Sequence, residues 1–153
     1  MDPNTELLIL VHPSYPWLEE TTMRGGRKKA LHSKLSAIVR AANFYTPKNT
    51  YVVGPLLDDT KDLATCTPEN YETLLDLART NQYLTGGIHA IGLFTAVEDP
   101  AMQAQRENKS IRIGGFYSEL CCASYALFVE TFTANSYRTI VPIIDHSLSH
   151  WSP

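Results

Sequence analysis

The chain has 153 residues, of which 44% are hydrophobic, and a formal net charge of −3 at pH 7. This length suits one ordinary domain, over residues 1–153, and is too short for two full domains. Its lysines and arginines are scattered, and the loosest grouping of them, in residues 24–34, opens a predicted amphipathic helix. We therefore expect a solvated helix face there and no nucleic-acid partner.

No stretch approaches the ~18 continuous apolar residues needed to span a bilayer, and the opening run MDPNTELLIL lacks the basic region of a signal peptide. We expect a cytoplasmic protein with no membrane partner. The three cysteines, Cys66, Cys121 and Cys122, form no CxxC spacing, and adjacent cysteines rarely bridge because the bond strains the peptide between them. Free thiols are therefore expected.

Short continuous apolar runs alternate with segments of helical periodicity, which is typical of a parallel sheet interleaved with helices. Strands are predicted at residues 7–12, 50–57, 88–94, 111–116 and 138–145. The first is apolar on both faces, as a central parallel strand should be, while Pro142 favours a sheet edge or a bulge for the last.

Helices are predicted at residues 27–42, 68–81, from Asp99 onward, and from 117 or 118 to about 133. An alternative for the middle of the chain places the third strand at residues 83–85 and begins a helix earlier. Either way the order is βαβαβαβαβ, which predicts an α/β fold: a doubly wound, Rossmann-like, three-layer parallel sheet of about five strands.

Ligands of such sheets bind outside the carboxyl ends of the strands. Three polar positions fall there: His12 after the first strand, residues 117–121 after the fourth, and Asp145 after the fifth. Two aromatic residues, Tyr15 and Trp17, lie in the loop after His12, where they either wall a substrate pocket or cap the core.

Cys121 falls in the first turn of its helix, where unpaired N–H groups and the helix dipole favour a thiolate and can stabilise an oxyanion. Cys122 lies about 100° further round the helix and is expected to pack away from the cleft. The alternative interpretation is that both cysteines are core residues, because free cysteine is among the most buried residue types.

The run GFYSELCC, followed by ASYALFVETFTANSYRTIVPIIDHSLS, resembles the nucleophile segment of the isochorismatase-like cysteine hydrolases. Their pattern reads roughly G-hydrophobic-x-T-x-x-C-V, followed by a helix and a strand that ends D-A/H-x-x-S. The residues that match it best are Gly115, Cys121, Asp145 and Ser149.

The resemblance implies that Cys121 is the nucleophile of a hydrolase acting on a small amide or related molecule. It also implies an oxyanion hole formed by the backbone N–H groups of Tyr117 and Cys121, and a cis peptide between Phe116 and Tyr117. Family members commonly form homo-oligomers, to which the aromatic-rich segment 125–132 could contribute. No cofactor and no metal are expected.

Two positions depart from the family's Cys-Asp-Lys triad. His12 stands where the aspartate is expected, and no lysine occurs between Lys61 and Lys109. Three hypotheses follow. The first is a divergent hydrolase in which His12 acts as general base for Cys121. The second is a catalytically silent member that serves small-molecule binding or assembly. The third is an unrelated doubly wound binding domain whose cysteines are core residues.

Overall fold

The computed structural model describes residues 1–13, 25–54, 68–86, 90–115 and 118–149. Five strands in these ranges form one parallel sheet in the order β3-β2-β1-β4-β5. The strands are β1 Glu6–Val11, β2 Thr50–Val53, β3 Gln82–Leu84, β4 Ser110–Gly115 and β5 Ile143–Ile144. The predicted class, a doubly wound α/β fold with a five-stranded parallel sheet, is confirmed.

Helices cover both faces of the sheet. They are α1 Gly25–Tyr45, α2 Pro68–Thr80, α3 Ala90–Thr95, α4 Glu98–Glu107, α5 Ala123–Thr133 and α6 His146–Ser149. A π-helical turn, Ser118–Cys122, runs directly into α5. None of the described helices is both long and apolar enough to cross a membrane.

Strand β1 lies at the centre of the sheet and separates two hydrophobic cores. Its residues Leu7, Ile9 and Val11 pack with α3, α4 and α5, whereas Leu8 and Leu10 pack with α1 and α2. All six residues of β1 are buried, which explains why its sequence reads as a continuous apolar run without alternation.

The order of the strands reverses at β1. The chain adds β2 and β3 on one side of β1 and then returns to add β4 and β5 on the other side. Val11, the last residue of β1, lies opposite Gly115, the last residue of β4. The carboxyl ends of β1 and β4 therefore form the topological switch point, where ligands of open α/β sheets characteristically bind.

The predicted strand at residues 88–94 is wrong, and the alternative placement is correct. The third strand is β3, and residues 90–95 instead form α3, which buries Leu93 in the core. A short apolar run such as AIGLF suits a buried helix as well as a strand, so its pattern alone does not separate the two. Strand β3 is hard to recognise because its three residues are only half-buried at the sheet edge.

The last strand is much shorter than the predicted range of 138–145. Only Ile143 and Ile144 pair with β4, and β5 lies at the sheet edge, as Pro142 indicated. Proline has no N–H for a ladder, so regular pairing begins after it. The pairing of β2 likewise ends at Val53, before the predicted end at residue 57.

Candidate functional site

His12 follows β1 directly and turns the chain at the switch point. Its backbone N–H donates to the carbonyl of Val53 at 3.0 Å, so pairing with β2 extends one residue past the strand. Its φ of 48° lies in the left-handed region that few residues other than glycine adopt. The residue is only 1% exposed, which keeps the imidazole inside the protein at the carboxyl edge.

Gly115 brings the end of β4 into direct contact with β1 and with the π-helical turn. A Cβ at this position would lie 2.6 Å from the carbonyl oxygen of Val11 and 2.9 Å from the Sγ of Cys122. Both distances are too short for any side chain, so only glycine allows this packing. The segment after β4 is thereby held against the end of β1.

The two adjacent cysteines occupy different environments. Cys122 is fully buried in the core beside α5, as predicted. Cys121 is half-buried in the π-helical turn and packs against the margin of the same core. Of the two thiols, Cys121 is therefore the one that a ligand at the carboxyl edge can reach.

Burial raises the pKa of the Cys121 thiol above its ordinary value, and its own backbone N–H opposes this only in part. No side chain of another described residue forms a hydrogen bond with the thiol. The expectation that the helix start favours a thiolate is therefore wrong in its net direction. Loss of water around the sulfur outweighs the backbone dipoles, and the thiol stays protonated at neutral pH.

Asp145 lies at the end of β5, where it caps α6. Its Oδ1 accepts hydrogen bonds from the N–H and the Oγ of Ser147 at 3.0 and 2.6 Å, and its Oδ2 lies 3.5 Å from the Nη1 of Arg112. Partial burial raises the pKa of Asp145, but these hydrogen bonds and the Arg112 charge outweigh burial and hold the pKa below its usual value. The carboxylate thus has a structural task, and its predicted role in substrate binding stays a prediction.

Arg112 connects that cap to a second acidic residue, and sequence reasoning did not single out this connection. Its Nη2 and Nε donate to Oε2 of Glu6 at 2.9 and 3.1 Å, and the hydroxyl of Tyr45 donates to Oε1 of Glu6 at 3.0 Å. Glu6 is only 7% exposed. The signal available in the sequence was a charged residue within each of two otherwise apolar strands.

Several predicted site residues lie outside the described residues. They are Tyr15, Trp17, Tyr117, the Phe116–Tyr117 peptide and Cys66. Two surface clefts lined by described residues lie away from the switch point, one of about 170 Å³ between α1 and α2 and one of about 360 Å³ beside β3 and α4. Within the described ranges, no three His, Cys, Asp or Glu side chains group closely enough to hold a metal ion.

Comparisons with protein-family models, with curated proteins and with solved structures give no significant match. The resemblance to the isochorismatase-like hydrolases therefore depends on the residues between Gly115 and Ser149 alone.

Proposed function

We propose that the chain is a catalytically silent isochorismatase-like domain that binds a small molecule at the carboxyl edge between β1 and β4. The observation that carries this proposal is the state of the Cys121 thiol. Burial raises its pKa, and no other described side chain donates or accepts a hydrogen bond at the sulfur. A cysteine hydrolase needs a thiolate, and this thiol lacks the usual means of forming one.

The location of the binding site is supported by the strand order. The switch point lies between β1 and β4, and Gly115 draws the backbones of the two strands together there. Cys121 stands at this edge and is half-buried, so a bound molecule would contact its sulfur. The third hypothesis, that both cysteines are core residues, agrees with Cys122 and disagrees with the partial exposure of Cys121.

The second candidate function is hydrolysis of a small amide, with Cys121 as nucleophile and His12 as base. It is favoured by one observation: the two residues follow β1 and β4, which pair up to Val11 and Gly115. In that reaction His12 takes the thiol proton, the sulfur attacks the amide carbonyl, and the amine leaves with the proton. Water then hydrolyses the thioester. Catalytic hydrogen bonds of unliganded enzymes often tighten only when substrate binds.

One experiment separates these functions. The protein is incubated with benzamide or nicotinamide as probes, and two quantities are measured: ammonia release, and the rate at which N-ethylmaleimide labels Cys121, read by mass spectrometry of the digested chain. Silent binding predicts slower labelling of Cys121 with no ammonia. The buried Cys122 serves as an internal reference, and the Cys121→Ser variant shows which adduct belongs to Cys121.

Ammonia release that disappears in Cys121→Ser would contradict the silent function and establish the hydrolase. Unchanged labelling across both probes and a wider set of small amides, without ammonia, would contradict small-molecule binding of this class at the edge.

A further inference from the structure

The cleft of about 360 Å³ lies at the opposite side of the sheet from α6, beside the edge strand β3. One wall is β3 itself. The other wall is α4, which contributes Asp99, Met102 and Arg106. Its volume falls within the range of pockets that hold small ligands. The cleft is separate from the switch point, so its function is independent of the proposal for Cys121.

The charges along α4 are arranged with one of each sign. Asp99 and Arg106 are seven residues apart, two helical turns, which places them about 10.5 Å apart along the helix axis. In the described part of the chain neither side chain forms an ion pair or a hydrogen bond. Both are therefore available to a ligand. Met102 lies between them and is 49% exposed, which provides an apolar contact at the centre.

The floor of the cleft is polar and fixed. The hydroxyl of Tyr51 donates to Oε1 of Gln103, and the amide of Gln82 donates to the carbonyl of Lys48 at 3.0 Å. Burial raises the pKa of Tyr51, the Asp99 carboxylate raises it further and the Arg106 guanidinium opposes the increase. The fields of both charged groups thus converge on the floor of this one cleft.

We propose that this cleft binds a linear zwitterion, a tripeptide with free termini and an apolar central residue. Its ammonium group pairs with Asp99, its central side chain covers Met102, and its carboxylate pairs with Arg106. The length fits because three extended residues span at most about 10 Å, close to the separation of the two charges along α4. Molecules with one charge satisfy only one end of the cleft.

The probe is the tripeptide Ala-Leu-Ala, titrated into the isotopically labelled chain and followed by amide chemical shifts. We expect saturable shifts at Met102 and its neighbours. N-acetylation or C-amidation of the peptide should each weaken binding about fivefold, the upper end for an exposed ion pair. Asp99→Asn should weaken the free peptide to the same extent and leave the acetylated peptide unaffected, since the paired charge is already gone.

The matched control is Glu98→Gln. Glu98 shares the first turn of α4 with Asp99, so it acts on the helix dipole in the same way, yet it does not line the cleft. Its affinity should equal that of the unaltered chain. The proposal is overturned if Ala-Leu-Ala does not bind, if the blocked peptides bind equally well, or if Glu98→Gln and Asp99→Asn weaken binding alike.

Discussion

At position 115 a hydrogen atom is the only side chain that fits, and this constraint determines the fate of both neighbouring thiols. The close approach of Gly115 to Val11 and to Cys122 draws the π-helical turn onto the end of β1. Cys122 then fills the core, and Cys121 is left at its margin, half-buried. The two cysteines are therefore distinguished by packing, although the sequence places them side by side.

Gly115→Ala should lower the free energy of unfolding by about 1–3 kcal/mol, the usual cost of overpacking, because the new Cβ meets a backbone oxygen that cannot move aside. Gly114→Ala is the matched control. There the Cβ would meet the Leu148 side chain at 3.0 Å, which has room to rotate, so the loss should be smaller. Urea unfolding of the two variants measures both losses, and an equal or larger loss for Gly114→Ala would contradict the account.

At the scale of the elements, one chain of polar contacts ties the sheet to its helices. Tyr45 of α1 contacts Glu6 of β1, Glu6 pairs with Arg112 of β4, and Arg112 reaches Asp145 at the start of α6. Burial raises the pKa of Glu6, but hydrogen bonds from Arg112, the Asp2 N–H and Tyr45 together hold it below its ordinary value. The carboxylate therefore stabilises the folded state in its charged form.

The sign of the pH dependence follows from that lowered pKa. Stability from Glu6 is complete above the pKa of the unfolded chain and is lost as pH falls through the lower folded value, so the loss lies below about pH 4. Asp145, whose pKa is also lowered, adds to the same loss. Glu6→Gln should cost about 1.5–3 kcal/mol at pH 7, as a broken hydrogen bond to a charged group does, and should flatten the acid slope.

Urea unfolding from pH 7 down to pH 3 checks both effects. The matched control is Glu130→Gln, whose carboxyl is exposed on α5 and forms no ion pair among the described residues. Its stability should follow the unaltered chain at every pH. An acid slope that is the same in Glu6→Gln as in the unaltered chain would show that this network does not carry the pH dependence.

At the scale of the whole molecule, the sequence predicts the architecture well where burial is complete. A central strand such as β1 is apolar on both faces, so its pattern is unmistakable, and Gly115 marks the end of β4. Edge strands are different. The half-buried β3 and the two paired residues of β5 carry too little periodicity to define their limits.

The same division applies to the candidate site. The sequence correctly predicts His12 after β1 and Cys121 in the turn after β4, because strand ends follow from local pattern. It misses the raised pKa of Cys121, because the loss of water around the sulfur depends on residues brought together by the fold. It also misses the Glu6–Arg112 pair, which joins residues 106 positions apart along the chain.

The central claim, that Cys121 is not activated for catalysis, is tested most directly by its rate of alkylation as a function of pH. The rate for Cys121 is compared with that of a free cysteine peptide and repeated in the His12→Asn variant. The account predicts an inflection at higher pH than for the peptide, slower labelling at neutral pH, and no change in His12→Asn. An inflection at or below neutral pH that moves upward in His12→Asn would contradict it and establish a Cys121–His12 pair.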